Sequence, residues 1–221
     1  ATRPVICSVP SSRATTAWCS ADMENKARIA VLVSGGGTNL QALIDAQHSG
    51  IINSGEIVLV ISSQPTAYAL ERAKNAGIKT AVIRKKDFEN PAQWEEALVK
   101  ELKDNKIDLI VLAGFMCILS KDFTSRFEKR IINVHPSLIP SFCGEGFYGL
   151  RVHQAALDYG VKVTGATVHF VNEIPDGGEI IMQKAVEIMP DDTPESLQKR
   201  VMQEAEWKIL PQSVEKVCKG E

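Results

Sequence analysis

The chain has 221 residues, 44% of them hydrophobic and 24% charged, with a formal net charge of −2 and a sequence pI ≈ 6.2. That length fits one α/β domain with a full core. The near-neutral charge gives no electrostatic case for nucleic acid or an anionic membrane as partner, and no apolar run is long enough to span a bilayer.

Residues 1–27 differ from the rest. Up to Ala21 they hold Ser, Thr, Ala and Pro with Arg3 and Arg13, and the first acidic residue is Asp22. With no apolar h-region, this is the composition of an organellar transit peptide or its remnant, an ordinary tail being the plain alternative. The first residue is Ala rather than Met, and the segment is set apart from the fold. Cys7, Cys19, Cys117, Cys143 and Cys218 are odd in number and lack metal-type spacing, so they read as free thiols in a reducing compartment.

Arg28 to Val33 reads as a short buried strand, and Ser34-Gly35-Gly36-Gly37-Thr38 follows it at once. A helix then starts at Asn39, with Leu40, Leu43 and Ile44 at helical spacing. Strand, glycine loop and helix make an anion-binding arrangement, because backbone N–H groups and the helix dipole face the same point. The loop lacks the later glycine of a dinucleotide site and the Lys of a P-loop, and an unliganded tight turn is the bland reading.

Glu56 to Ser62 reads as a second buried strand. Ala67 to Ala76 follows as a helix with Gly77 as its C-cap, and Lys79 to Ile83 as a third strand. Pro91 to Asn105 forms a helix whose inward stripe is Trp94, Ala97, Leu98, the Glu101 stem and Leu102. A strand from Asp108 to Gly114, a short helix from Lys121 to Glu128 and a strand from Ile131 complete an alternating series. Such alternation with short connections predicts a doubly wound, mostly parallel α/β sheet. Ser141 to Tyr148 is a loop, and Gly149 to Tyr159 a helix. Val163 to Val171 and Glu179 to Ile188 are strands with no helix between them, which predicts an added antiparallel hairpin. A last helix opens with Asp192 or Thr193 as N-cap and Pro194 at N1, and runs to about Val217. The expected organisation is a tail over 1–27, a single catalytic domain over 28–217 and a short tail over 218–221.

The chemistry is expected where the strand from Ile131 ends. Asn133 and His135 are two apart and share one side of an extended backbone. Pro136 and Pro140 stop the ladder just beyond, at the sheet edge where open α/β folds bind ligands. Asp176, in the hairpin loop before Gly177-Gly178, is a further candidate, although a turn Asp is common. His48, His135, His153 and His169 show no metal-ligand pattern.

The stretches SGGGTNLQALIDA, DLIVLAGFM, INVHPSLIPSF and VHFVNEIPDGG resemble, in order and spacing, the folate-dependent glycinamide ribonucleotide formyltransferases, over residues 28–217. The resemblance implies their Rossmann-like fold, 10-formyltetrahydrofolate as cosubstrate with no bound cofactor, and glycinamide ribonucleotide as the amine acceptor. It implies Asn133, His135 and Asp176 as catalytic residues. Gly36, Gly37, Thr38 and Asn39 would hold the ribose phosphate, with Pro136 beside the amine. Met116, Ile118 and Leu119, with Asn133, would meet the folate. A Glu of the last helix would contact the ribose. Aligned from Pro211 it is Glu206; counted from Val201 the helix carries one residue more than the family pattern and the Glu would be Glu204. The family's next His is here Trp207, and Cys117 stands where relatives often carry Arg. The loop Phe142 to Gly149 looks like that of a plant or Bacteroides-like subgroup, so the resemblance and the tail together imply a plastid enzyme, with the mitochondrion as a second destination.

The expected mechanism is attack of the amine on the formyl carbon, with Asn133 and a protonated His135 stabilising the oxyanion. Asp176 is expected to raise the His135 pKa. Hydrolysis of 10-formyltetrahydrofolate and a non-catalytic folate- or nucleotide-binding module are the alternatives. A hydrolase would carry a further domain before Arg28, and a methionyl-tRNA formyltransferase a further C-terminal nucleic-acid-binding domain and a basic surface. The expected partners are small molecules alone, and monomer and homodimer are equally compatible with the sequence.

Overall fold

The computed structural model describes residues 26–221, so nearly all of the proposed transit segment lies outside the described residues. Seven strands follow the β-rich runs: β1 (Ala27–Val33), β2 (Gly55–Ser62), β3 (Lys79–Val82), β4 (Leu109–Leu112), β5 (Ile131–His135), β6 (Val163–Phe170) and β7 (Ile180–Glu187). They form one sheet in the order β3-β2-β1-β4-β5-β6-β7. The first five strands pair in parallel; β6 runs antiparallel to β5, and β7 antiparallel to β6. This is the expected doubly wound sheet with an added hairpin.

The parallel strands are apolar on both sides because both sides are covered. In β1, Ile29, Val31 and Val33 join one core, and Ala30 and Leu32 the other. The first core is closed by α1 (Thr38–His48), α2 (Tyr68–Asn75), α6 (Pro194–Val201) and α7 (Trp207–Cys218). The second is closed by α3 (Pro91–Asp104) and α4 (Lys121–Ser125). The remaining helix, α5 (Leu150–Tyr159), follows the loop after β5. Helices change sides between β3 and β4, so the chain diverges at the β1–β4 boundary, where such sheets open a crevice at their C-terminal edge.

Three local readings are corrected. The helix from Lys121 ends at Ser125 rather than Glu128, and Lys129 at φ 55° turns the chain into β5. The inward stripe of α3 is displaced: Glu95 and Val99 are buried beside Trp94, Leu98 and Leu102, while Ala97 is half-buried and Glu101 pairs with Lys79 at 2.9 Å. Glu95 is tolerated inside because its carboxylate accepts the Ser120 N–H at 2.7 Å. The last helix is not continuous. Between α6 and α7 the residues Met202–Glu206 form a π-helical turn, with Trp207 N–H bonded to Met202 O. A π turn holds one residue more than an α turn, so the extra residue counted from Val201 is absorbed there.

Candidate functional site

A cleft of about 1000 Å³ opens at the C-terminal ends of β1, β4 and β5. The glycine loop, the segment Ala113–Ile118, Asn133 to Pro136, the loop Gly144–Gly149, Asp176 and the π turn all contribute to its wall. Gly37 serves as N-cap of α1 at φ 71°, and a Cβ there would lie 2.6 Å from Ala69 Cβ, so close packing of α2 demands glycine. Arg72 on α2 ties the loop down, its Nε donating to Gly36 O at 2.9 Å. Gly36, Gly37, Thr38 and Asn39 thus line the cleft at the start of α1, where N–H groups and the dipole favour an anion.

β5 places Asn133 and His135 on the cleft side. The antiparallel register sets Asn133 opposite His169 and His135 opposite Thr167. His169 was not among the expected site residues. Its Nδ1 lies 2.8 Å from Phe170 O, which can only accept, so Nδ1 carries the proton and Nε2 is the acceptor. The Asn133 amide N–H donates to that Nε2 at 3.3 Å. One amide hydrogen is thereby anchored and the second is left for the cleft. Asp176, at φ 56°, reaches in from the β6–β7 loop, with Oδ2 3.4 Å from His135 Nδ1 and Oδ1 3.6 Å from His169 Nε2. The structure therefore brings Asn133, His135 and Asp176 together from distant parts of the chain.

The loop after Pro140 grips this group. His135 Nε2–H donates to Phe142 O at 2.9 Å, and Gly144 N–H donates to Asp176 Oδ2 at 2.9 Å. Phe142 takes φ 49° and Gly144 φ 86° to make both contacts.

Electrostatics correct one expectation. Burial pushes the His135 pKa below its ordinary value, and the opposing pull of Asp176 and of the Phe142 carbonyl does not recover it. His135 is therefore neutral at pH 7 in the free site rather than a standing cation. Burial acts to raise the Asp176 pKa, but its neighbours His169 and His135 and the Gly144 N–H outweigh it, and the pKa lies below its ordinary value. His153 on α5 is fully buried in the cleft wall with neither ring nitrogen bonded to protein, and burial together with His135 lowers its pKa to about 4.

The other expected contacts divide. Glu206 lies in the cleft wall, buried, with Oε2 accepting Asn39 Nδ2–H at 2.7 Å, while Glu204 is exposed. Burial raises the Glu206 pKa to about 6 against the pull of Asn39. Met116, Cys117 and Ile118 line the cleft; Met116 is 58% and Ile118 72% exposed, a surface available to a flat apolar ligand. Leu119 does not line it: it is 7% exposed and packs into the second core, since the chain turns inward toward α4 there. Pro136 borders the cleft, and Trp207 does not. Among the described residues no group of three His, Cys, Asp or Glu is arranged to hold a metal ion.

The sequence profile of the formyl transferase family matches residues 27–214. The phosphoribosylglycinamide formyltransferase of Haemophilus influenzae is 47% identical over 184 residues, 83% of this chain and 84% of that one. The chloroplastic phosphoribosylglycinamide formyltransferase of Arabidopsis thaliana is 38% identical over 192 residues, 86% of this chain and 65% of that one. The chain also matches the trifunctional purine biosynthetic protein adenosine-3 of Bos taurus at 45% identity, spanning 19% of its length. The crystal structure of glycinamide ribonucleotide transformylase 1 from Symbiobacterium toebii superposes with a TM-score of 0.83 at 38% identity, covering 95% of this chain and 94% of that one.

Proposed function

Since the chain belongs to the formyltransferase family, in its phosphoribosylglycinamide formyltransferase branch, we propose that it moves a formyl group from 10-formyltetrahydrofolate to the amine of phosphoribosylglycinamide. One observation carries the reading to residue level: Asn133, His135 and Asp176 meet in the same cleft as the glycine loop at the start of α1. That loop suits the substrate phosphate, and Glu206, bonded to Asn39 at 2.7 Å beside it, offers a carboxylate to the ribose hydroxyls. Met116 and Ile118 offer an apolar wall to the pteridine.

Chemistry follows from the protonation states. The amine attacks the formyl carbon, forming the new N–C bond and an oxyanion, toward which the free Asn133 amide hydrogen points. Neutral His135 takes the proton released by the attacking nitrogen. The resulting imidazolium, stabilised by ionised Asp176, faces the oxyanion and returns the proton to the folate nitrogen as the old C–N bond breaks. The ring nitrogen that performs this exchange must leave Phe142 O, if it is Nε2, or turn from Asp176, if it is Nδ1.

The testing experiment follows tetrahydrofolate formation from 10-formyltetrahydrofolate with and without the amine nucleotide. Amine-dependent product is expected; equal product without it would make the protein a hydrolase. Asn133→Ala and His135→Ala should stay folded and lose roughly 10²–10³ in turnover, the usual cost of an oxyanion donor. Near wild-type turnover in either would remove these residues from the mechanism. Plastid delivery belongs to the same proposal, supported by the chloroplastic relative and by the acid-free composition of residues 1–21. Import of the chain into isolated chloroplasts tests it, and exclusion from them would count against it.

A further inference from the structure

The apolar wall offered to the pteridine is a piece of irregular chain. Segment 114–119 lies between β4 and α4 and belongs to neither. Phe115, Cys117 and Leu119 lean on the second core, while Met116 and Ile118, the side chains left for a ligand, face out. Among the described residues the backbone of this segment takes part in no backbone–backbone hydrogen bond. Its one hydrogen bond is to a side chain: Met116 N–H donates to Ser34 Oγ at 2.9 Å. A stretch with so few backbone bonds and exposed side chains is the kind that opens locally.

Ser34 is itself held. It follows the last residue of β1, and its Oγ lies 2.7 Å from Ser63 Oγ. Ser63, just past β2 and 5% exposed, carries the β1–β2 ladder one step further, its N–H donating to Val33 O at 3.0 Å. A hydroxyl has one hydrogen to give and two lone pairs, so Ser34 accepts from Met116 while it shares a hydrogen with Ser63. Burial raises the Cys117 pKa against the pull of Ser63, so that hydroxyl also stands beside the next residue of the wall. We infer that Ser34, with Ser63 behind it, is a positioning residue for the folate: its hydroxyl transmits the rigidity of the sheet to segment 114–119 and holds it in the shape the pteridine meets. Little ordering is then left for the moment of binding. The inference rests on the folate reading of this wall. The glycine loop does not depend on the same bond, since Ala69 N–H donates to Gly35 O at 3.2 Å and Arg72 Nε to Gly36 O at 2.9 Å. Loss of the Ser34 hydroxyl should therefore loosen one substrate's site and spare the other's.

The test joins steady-state kinetics of formyl transfer in Ser34→Ala to amide hydrogen exchange in the free chain. The KM for 10-formyltetrahydrofolate should rise about three- to tenfold, the typical effect of one net hydrogen bond. Both kcat and the KM for the amine nucleotide should stay within about twofold, the pattern of lost ground-state binding. Ser34→Thr, which keeps the hydroxyl, should restore most of the folate KM. Ser63→Ala should move it in the same direction as Ser34→Ala, and serves alone if Ser34→Ala does not fold. The Met116 amide should exchange faster once its acceptor is gone. An unchanged folate KM, or equal rises in both KM values, overturns the proposal, and so does Met116 exchange that the substitution leaves unaltered. If the parent transfers no formyl group, the transfer reading fails by itself, and the tether is judged by equilibrium dialysis against tetrahydrofolate. Weaker binding in Ser34→Ala than in the parent supports it; equal binding, or none to either, overturns it.

Discussion

His169 decides which atom of Asn133 faces the cleft. With its proton held by Phe170 O, its other nitrogen can only accept, and it fixes the amide with N–H toward it. Its Nε2 also stands 3.6 Å from Asp176 Oδ1, so a change at this imidazole bears on two of the three groups given chemical roles here. His169→Leu should lower turnover about tenfold or more, a lesser loss than deleting the oxyanion donor itself, with KM little changed; His169→Gln, which keeps an acceptor, should recover part of it. Full activity in the leucine variant would leave Asn133 without need of an anchor. The sequence made Asn133 and His135 legible because alternation and two prolines place them locally. It left His169 unseen, since the register of β5 against β6 is written in neither strand alone. Asp176 was a candidate from its loop before Gly177-Gly178, but only the family pattern joined it to His135. The direction of the His135 pKa was missed because an ionised neighbour can be guessed from sequence, whereas the depth of burial that outweighs it cannot.

At the level of elements, two helices carry titratable groups that make the fold sensitive to pH. The π turn between α6 and α7 sets Glu206 into the cleft wall, where burial raises its pKa to about 6. A carboxylate raised in the folded state contributes stability at low pH, and that contribution is lost as pH rises through 6. Ionisation above that pH costs roughly 2 kcal/mol, at about 1.4 kcal/mol per pK unit. Glu206→Gln should therefore match the parent near pH 5 and exceed it in unfolding midpoint at pH 8. If Glu206 receives the ribose hydroxyls, KM for the amine nucleotide should rise in the same variant. An unchanged midpoint difference between the two pH values would mean Glu206 does not titrate in place. On α5 the sign is opposite. His153, lowered to about 4, holds fewer protons in the folded chain than in the unfolded one. Stability is full above the ordinary histidine pKa and is lost as pH falls from there toward 4, by at most about 3 kcal/mol. His153→Leu should flatten that acid decline in denaturant midpoints measured between pH 7 and pH 4, and an equally steep decline would assign it to other groups.

On the scale of the whole molecule, the sheet separates work from support. Alternating strand and helix patterns were enough to predict a doubly wound sheet with an added hairpin, because each connection is short and each run has one period. What they did not carry was side: whether a residue near a strand end falls toward the cleft or the core. Leu119, three residues after Met116, illustrates it, since the chain there passes from exposed wall to packed interior. The same division predicts how damage spreads. The first core contains α1 and the α6–α7 unit, which together with α5 supply the helical part of the cleft wall, whereas the second is closed by α3 and α4. Leu98 sits in the second core at 0% exposure on α3, which contributes no residue to the cleft. Leu98→Ala removes buried methyl groups and leaves a cavity, at a typical cost of about 2–5 kcal/mol. Chemical unfolding should register that loss in full, while turnover per folded molecule at low temperature stays near the parent value, because the cleft groups keep their anchors. The contact between the two parts is Trp94, which stacks at 6.4 Å on Phe115 of the cleft wall. A fall in turnover in Leu98→Ala, measured with the folded fraction held constant, would show that the second core positions the cleft through that aromatic pair and that the two halves of the sheet are not separable.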